Sequence, residues 1–229
     1  MKIKGLQKTT LLDFPEKVAC TVFTGGCNFR CPFCHNASLV LKSDEIEEIS
    51  ESDFFSYLAK RKGILDGVCI TGGEPLINDD ISDFIKKIRE YGFLIKLDTN
   101  GSFPNRLESL LNEGLLDYVA MDIKNSKNKY AITCGSEKYS DEIEKSINLI
   151  MQKAPDYEFR TTVVRELHTI KDIEDIANQI KNAKRYYLQS FVDSGDTLVK
   201  GFSEYSPEEM LNILENTRKI LPSTVLRGI

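Results

Sequence analysis

Two spacings of apolar residues alternate along this chain. Short runs rich in Val, Ile, Phe and Tyr predict strands. Between them lie stretches with an apolar residue at every third or fourth position, the period of a helix with one buried face. The strands are predicted at Val18–Thr24, Gly67–Thr71, Phe93–Asp98, Tyr118–Asp122, Tyr157–Val164 and Tyr186–Phe191. A helix is predicted over Ser50–Lys62, with Ser50 as N-cap and Phe54, Phe55 and Leu58 on its buried face. Another spans Asp79–Tyr91, with Ile81, Phe84, Ile85 and Ile88 aligned. Further helices are predicted over Pro104–Asn112, near Asp141–Gln152 after a polar loop through Tyr139, and over Lys171–Asn182. Ser206-Pro207-Glu208-Glu209 opens a last helix with a cap, a proline and acids at its positive end. A short strand is expected at Thr224–Leu226.

Strand–helix alternation implies parallel strands joined by right-handed crossovers. Six such units fall short of a closed eight-fold barrel. An open dinucleotide-binding sheet is the rival, but no G-x-G-x-x-G follows the first strand. In parallel α/β folds the chemistry gathers where the strands end.

Composition narrows the class. The 229 residues, 41% hydrophobic and 28% charged, suit one soluble globular domain. No apolar run approaches the roughly 18 residues of a membrane span. The opening Met1-Lys2-Ile3-Lys4-Gly5 lacks the apolar core of a signal peptide, so a cytoplasmic, thiol-reducing setting is expected. A net charge of −5 offers no footprint for nucleic acid, and no membrane partner is expected.

Chemistry enters at the first strand's end. Cys27, Cys31 and Cys34 follow it as C-x3-C-x2-C. A cubane iron–sulfur cluster usually takes four thiolates, so three would leave one iron open to a small molecule. A structural zinc site would need a second Cys/His pair at matching spacing. The bland readings are a chance cluster, or a zinc knuckle that borrows His35. Cys20 and Cys69 sit in apolar strands and are expected to be buried small hydrophobes. Cys134 is expected in a polar loop, with no role.

The next strand ends carry more polar groups. Thr71-Gly72-Gly73-Glu74-Pro75 ends the second: paired glycines let a ligand approach the backbone, and Glu74 is a carboxylate acceptor for an ammonium. An ordinary turn is the alternative. Asp98-Thr99-Asn100-Gly101 ends the third strand and Ala120-Met121-Asp122-Ile123-Lys124 the fourth. Each is also readable as a cap or surface turn.

Cys27-x3-Cys31-x2-Cys34, with Phe33 just before the last cysteine, resembles the signature of radical S-adenosylmethionine (SAM) enzymes. The resemblance implies a [4Fe-4S] cluster on the three cysteines and SAM on its open iron, cleaved to a 5′-deoxyadenosyl radical. It implies an incomplete, curved parallel (β/α)6 barrel, a partial TIM barrel of α/β class. Gly72-Gly73-Glu74, at a strand end about forty residues on, matches the motif that holds the SAM amino group, and Lys124 is placed to meet the SAM carboxylate.

A narrower resemblance is to glycyl-radical-enzyme activating proteins such as pyruvate formate-lyase activating enzyme. It implies a Na+ or K+ beside SAM, held by the side chains of Asp98 and Asp122 and the carbonyls of Thr99 and Ala120. Asn100 joins the cofactor-binding set. Arg160 matches a SAM-contacting arginine, with a strand-edge salt bridge as the alternative. Gln189 reaches either the adenine or only the barrel interior. The opening Gly5–Lys17, Cys34-His35-Asn36 and the ending Val225-Leu226-Arg227-Gly228 are similar to anaerobic ribonucleoside-triphosphate reductase activating proteins.

Residues 1–229 are therefore expected to form one radical SAM domain, with an N-terminal extension at 1–16 and no ferredoxin-like insert. Its expected partners are a glycyl radical enzyme, the anaerobic reductase, and an electron donor such as flavodoxin or ferredoxin. Six βα units leave a lateral opening suited to a peptide loop, where hydrogen would be abstracted from a glycine. The alternatives are a small-molecule radical enzyme resembling 7-carboxy-7-deazaguanine synthase, and an iron–sulfur redox or sensor protein without SAM chemistry.

Overall fold

The computed structural model describes residues 1–136, 140–193, 195 and 197–228. Its strands are β1 (Ile3–Thr10), β2 (Ala19–Thr24), β3 (Gly67–Gly72), β4 (Leu94–Thr99), β5 (Tyr118–Asp122), β6 (Tyr157–Val163), β7 (Tyr186–Ser190) and β8 (Thr224–Arg227). Its helices are α1 (Ala37–Leu41), α2 (Glu51–Ala59), α3 (Ile81–Glu90), α4 (Pro104–Asn112), α5 (Tyr130–Cys134), α6 (Ser140–Lys153), α7 (Ile170–Gln179) and α8 (Pro207–Arg218). The polar loop expected through Tyr139 includes residues 137–139, which lie outside the described residues.

The strands lie in sequence order from β1 to β8. Pairing is parallel from β2 onward, and only β1 runs antiparallel to its neighbour. The expected incomplete barrel of six strand–helix units is present, and β8 adds a last parallel strand beside β7. The residues expected to be an N-terminal extension begin with β1, which pairs along β2 from Ile3 to Thr10. Residues 11–17 then cross the end of the barrel where the parallel strands begin. There Phe14 packs with Ala19, Tyr118 and Ala120.

The period of two in each strand divides the structure into layers. Ile95 and Leu97, Val119 and Met121, and Phe159 face the helices and join the main core with Phe54, Phe84, Ile85 and Ile176. Their alternates, Lys96 and Asp98, Tyr118 and Asp122, Glu158 and Arg160, line the barrel interior. Register places Asp122 beside Arg160, and Thr162 beside Gln189. Caps match the predicted starts: Ser50 accepts from Asp53 N, and Ser206 forms a capping box with Glu209. Among the described residues no helix is long and apolar enough to cross a membrane.

Candidate active site

The C-terminal ends of β2 to β7 surround a cavity of about 290 Å³. Its wall brings together Cys27, Cys31 and Cys34, Phe33, Gly72 and Gly73, Asp98, Thr99 and Asn100, Asp122, Lys124, Arg160 and Gln189. Residues from six separate strand ends thus converge on one cavity, whose wall does not include Glu74 or Ala120.

Backbone contacts hold the cysteine loop. Gly26 N donates to Leu39 O (2.9 Å), Arg30 N to Cys134 O (2.8 Å) and Val199 N to Pro32 O (2.9 Å). The Arg30 guanidinium donates to the carbonyls of Cys27 and Phe29. All three cysteines are free thiols. Burial pushes the Cys27 thiol up to about 11 and Cys31 up to about 12, and a bound metal would favour their thiolate forms. Among the described residues no three Cys, His, Asp or Glu side chains gather closely enough to hold one metal ion. Three thiols spread around a cavity fit a cubane, which presents its irons at separate corners. His35 is exposed at the cavity mouth, its ring 5.4 Å from that of Phe191.

The two glycines are required by the chain itself. Gly72 has φ +117°, and a Cβ there would lie 2.4 Å from the Thr24 backbone; on Gly73 it would lie 1.8 Å from Gly26 O. The ends of β2 and β3 therefore touch, joined by Gly73 N donating to Thr24 O (3.0 Å) and Glu74 N to Gly26 O (2.9 Å). Asn36 adds a donation to Gly72 O at 3.0 Å.

Glu74 departs from expectation: its carboxylate turns away from the cavity. It is fully buried and accepts from Leu76 N (3.0 Å), the Thr99 hydroxyl (2.8 Å) and Asn100 N (2.6 Å). By accepting from the end of β4 and from its own turn, it clamps strand ends together. Burial pushes its carboxyl up to about 7, partly offset by those three donors.

The expected cation site is also arranged otherwise. Asp98 accepts from Arg160 Nη1 (3.0 Å) and pairs with the Lys96 ammonium. Asp122 accepts from Arg160 Nε (2.8 Å) and Lys124 Nζ (3.0 Å). Protein cations thus meet both carboxylates, and Ala120 lies lower, against Phe14 and Tyr118. Arg160 stands in the cavity wall and bridges the two acids from inside the barrel, rather than forming a bridge at the strand edge. Deeper still, Glu158 accepts from both terminal nitrogens of Arg227 (3.0 and 3.1 Å) and from the Tyr118 hydroxyl (2.9 Å). Lys96, Lys124, Arg160 and Arg227 face Asp98, Asp122 and Glu158, so the group keeps one positive charge in excess. Burial opposes the charge on Asp122, but Arg160 and then Lys124 outweigh it and hold the carboxyl below its ordinary range. Burial likewise opposes the charge on Lys124, and Asp122 above all restores it.

Several participants escaped the sequence reading. Lys96 carried a usable signal, since it alternates with Asp98 within an otherwise apolar strand. Cys69 is buried as expected but lies on the interior face, 3.8 Å from Lys96 Nζ and 3.7 Å from Asp98 Oδ1, rather than in the apolar core. Cys20 does join that core. Cys134 is no loop residue: it ends α5, is fully buried, and its carbonyl anchors Arg30 of the cysteine loop. His168 is fully buried; Nε2 donates to Lys124 O (2.8 Å), leaving Nδ1 to accept from Val164 N (3.1 Å). Burial lowers its pKa, so the neutral ring fixes the Lys124 backbone and backs the Phe33 ring at 6.4 Å.

An incomplete parallel barrel with three cysteines and a charged floor at its strand ends defines a cofactor-dependent enzyme class. The sequence pattern of the Radical SAM superfamily matches residues 21–180, and the chain belongs to that superfamily. Its members use a [4Fe-4S] cluster and SAM. A protein of Methanocaldococcus jannaschii, provisionally named a glycyl-radical enzyme activating enzyme, is 32% identical over 99% of this chain and 96% of its own length. The pyruvate formate-lyase-activating enzyme of Clostridium pasteurianum is 28% identical over 80% of this chain and 77% of its own. Among solved structures, Streptococcus suis SuiB bound to its precursor peptide SuiA superposes with a TM-score of 0.72 at 14% identity. That superposition covers 91% of this chain and 48% of SuiB, and shows the shared fold.

Proposed function

We propose that this protein activates a glycyl radical enzyme, working as one radical SAM domain over residues 1–229 without a ferredoxin-like insert. The observation that carries this reading is the match to the Methanocaldococcus protein along nearly the whole of both chains. The site supports it. Cys27, Cys31 and Cys34 would hold the cluster, and the backbone at Gly72 and Gly73 would flank the SAM methionyl group. Lys124, on the cavity wall, suits the SAM carboxylate as a charge-assisted contact. Arg160 and Asp122 hold that lysine's surroundings in place, and Gln189 and Phe33 complete the wall.

When bound, the cluster and SAM supply a 5′-deoxyadenosyl radical that removes a hydrogen atom from a glycine Cα. The residues of this chain bind, orient and shield. The partner in this reading is an anaerobic ribonucleoside-triphosphate reductase, and the electron comes from a flavodoxin or ferredoxin. A monovalent cation is not part of it, because protein cations already meet Asp98 and Asp122.

The test is anaerobic incubation with SAM, a reductant and a purified anaerobic reductase. Formation of 5′-deoxyadenosine together with a glycyl radical signal in electron paramagnetic resonance is expected. 5′-Deoxyadenosine with no radical on the partner would point to another substrate. No SAM cleavage by the reconstituted protein would overturn the reading altogether.

A further inference from the structure

Of the three cysteines, Cys27 has two polar hydrogens directed at its sulfur. Phe29 N donates to Sγ at 3.4 Å, and Asn100 Nδ2 approaches it at 3.8 Å. The backbone donation belongs to the turn of the loop itself. The amide comes from the end of β4, across the cavity, and its own orientation is locked.

Asn100 belongs to a closed ring of three side chains. Its Nδ2 donates to Asn28 Oδ1 (3.0 Å), Asn28 Nδ2 donates to Ser102 Oγ (2.8 Å), and Ser102 Oγ donates to Asn100 Oδ1 (2.6 Å). Ser102 N also donates to Asn100 Oδ1, at 2.9 Å. A backbone N–H can only face an acceptor, so the oxygen end of Asn100 is fixed toward Ser102 and its NH2 end toward Cys27. Both amide hydrogens are then used, one on Asn28 and one on sulfur. Asn100 and Ser102 are buried and Asn28 and Cys27 half-buried, so water competes little for the Asn100 amide. The surrounding turn is equally constrained: Asn100 N is held by Glu74, and a Cβ on Gly101 would lie 2.1 Å from the Met121 methyl.

We infer that Asn100 is a positioning residue that sets the reduction potential of the cluster through the sulfur of Cys27, with Asn28 and Ser102 fixing the angle of its N–H. This rests on the reading that Cys27, Cys31 and Cys34 hold the cluster. Reduction adds one electron to the cluster from an external reductant, with no bond made or broken. The added charge is shared with the ligand sulfurs, so a donor aimed at sulfur stabilises the reduced form and raises the potential. Removing it makes the cluster harder to reduce.

Wild type, Asn100→Ala and Ser102→Ala are reconstituted anaerobically. Iron and sulfide are counted per chain, and the reduced cluster is titrated with dithionite and mediators by electron paramagnetic resonance. Asn100→Ala is expected to keep its iron while the ratio of reduced to oxidised cluster at fixed applied potential falls about tenfold, equivalent to about 59 mV for one electron. Ser102→Ala, which keeps the backbone donor on Asn100 Oδ1 but removes the hydroxyl that closes the ring and so loosens the amide, is expected to shift the same way by less. A fully loaded Asn100→Ala cluster with wild-type potential overturns the inference. If Asn100→Ala takes up no cluster, Ser102→Ala decides, and an unmoved potential there overturns it equally. A wild-type protein that assembles no cluster overturns the ligand reading beneath it, a different result from a loaded but unshifted variant.

Discussion

Lys96 occupies the least forgiving position in the barrel. Its side chain is 2% exposed, its ammonium pairs with Asp98, and it sits 5.9 Å from the centre of the Tyr118 ring. A lone ammonium so deep would lose its proton, yet its pKa is raised, because Asp98 outweighs the burial that would lower it. Lys96→Met keeps the length and removes the charge. It leaves Asp98 with Arg160 alone, and removing one member of a buried pair costs about 3–5 kcal/mol. Denaturant unfolding of Lys96→Met, Asp98→Leu and the double variant measures this. The double variant is expected to lose less than the two single losses combined, since no orphaned charge remains. Additive losses would show that the two groups are not coupled. In sequence, this alternation of charges within β4 was readable as an interior face. The choice of partner was not, because three cations from different strands compete for two acids and only the register decides.

Glu74 joins two elements, the turn after β3 and the end of β4, and a pH dependence follows from its burial. Its carboxyl titrates near 7 in the folded protein, against an ordinary value of 4.5 when unfolded. A carboxyl with a raised folded pKa contributes stability below its unfolded pKa, and that contribution is lost as pH rises through the folded value. The loss between pH 4.5 and about 7 is on the order of 3 kcal/mol. Glu74→Gln should flatten this slope in unfolding measurements across that range. It should also cost about 1–3 kcal/mol at low pH, because its NH2 would face the N–H of Asn100 or the turn donor at Leu76. An unchanged slope would mean the three donors already hold Glu74 ionised. At this scale the strands from β2 to β7 and the long helices were legible, since each carries its own period. The antiparallel β1 was not: Gln7, Lys8 and Thr9 are exposed on a sheet edge, so little apolar pattern remains. Nor were α1 and α5, five residues each, too short for a helical period to repeat.

Across the whole molecule, a polar interior must be closed at the end opposite the cavity, and residues 11–17 do this. Phe14 is 3% exposed, with its ring 6.0 Å from Tyr118. Gly67 makes room for it, since a Cβ there would lie 2.8 Å from the Phe14 ring. Asp13 accepts from the Thr21 hydroxyl and pins the segment to β2. Tyr118 in turn donates to Glu158 and lies under Lys96, so the Phe14–Tyr118 contact covers the ion network from this end. Phe14→Ala should cost about 3–5 kcal/mol in unfolding, the range for a buried phenylalanine lost to a cavity. Phe14→Leu, which still fills much of the space, should cost less. Water admitted there would also raise the effective dielectric around Asp98, Arg160 and Asp122. Charges that are better screened hold Lys124 less firmly, so Phe14→Ala is also expected to weaken SAM binding in equilibrium dialysis of the reconstituted protein, although Phe14 is not part of the cavity wall. Gly67→Ala, which would crowd both the same ring and the Leu94 carbonyl, should move both measurements in the same direction. A Phe14→Ala protein with unaltered unfolding midpoint and SAM affinity would show that the barrel floor is sealed by Tyr118 alone.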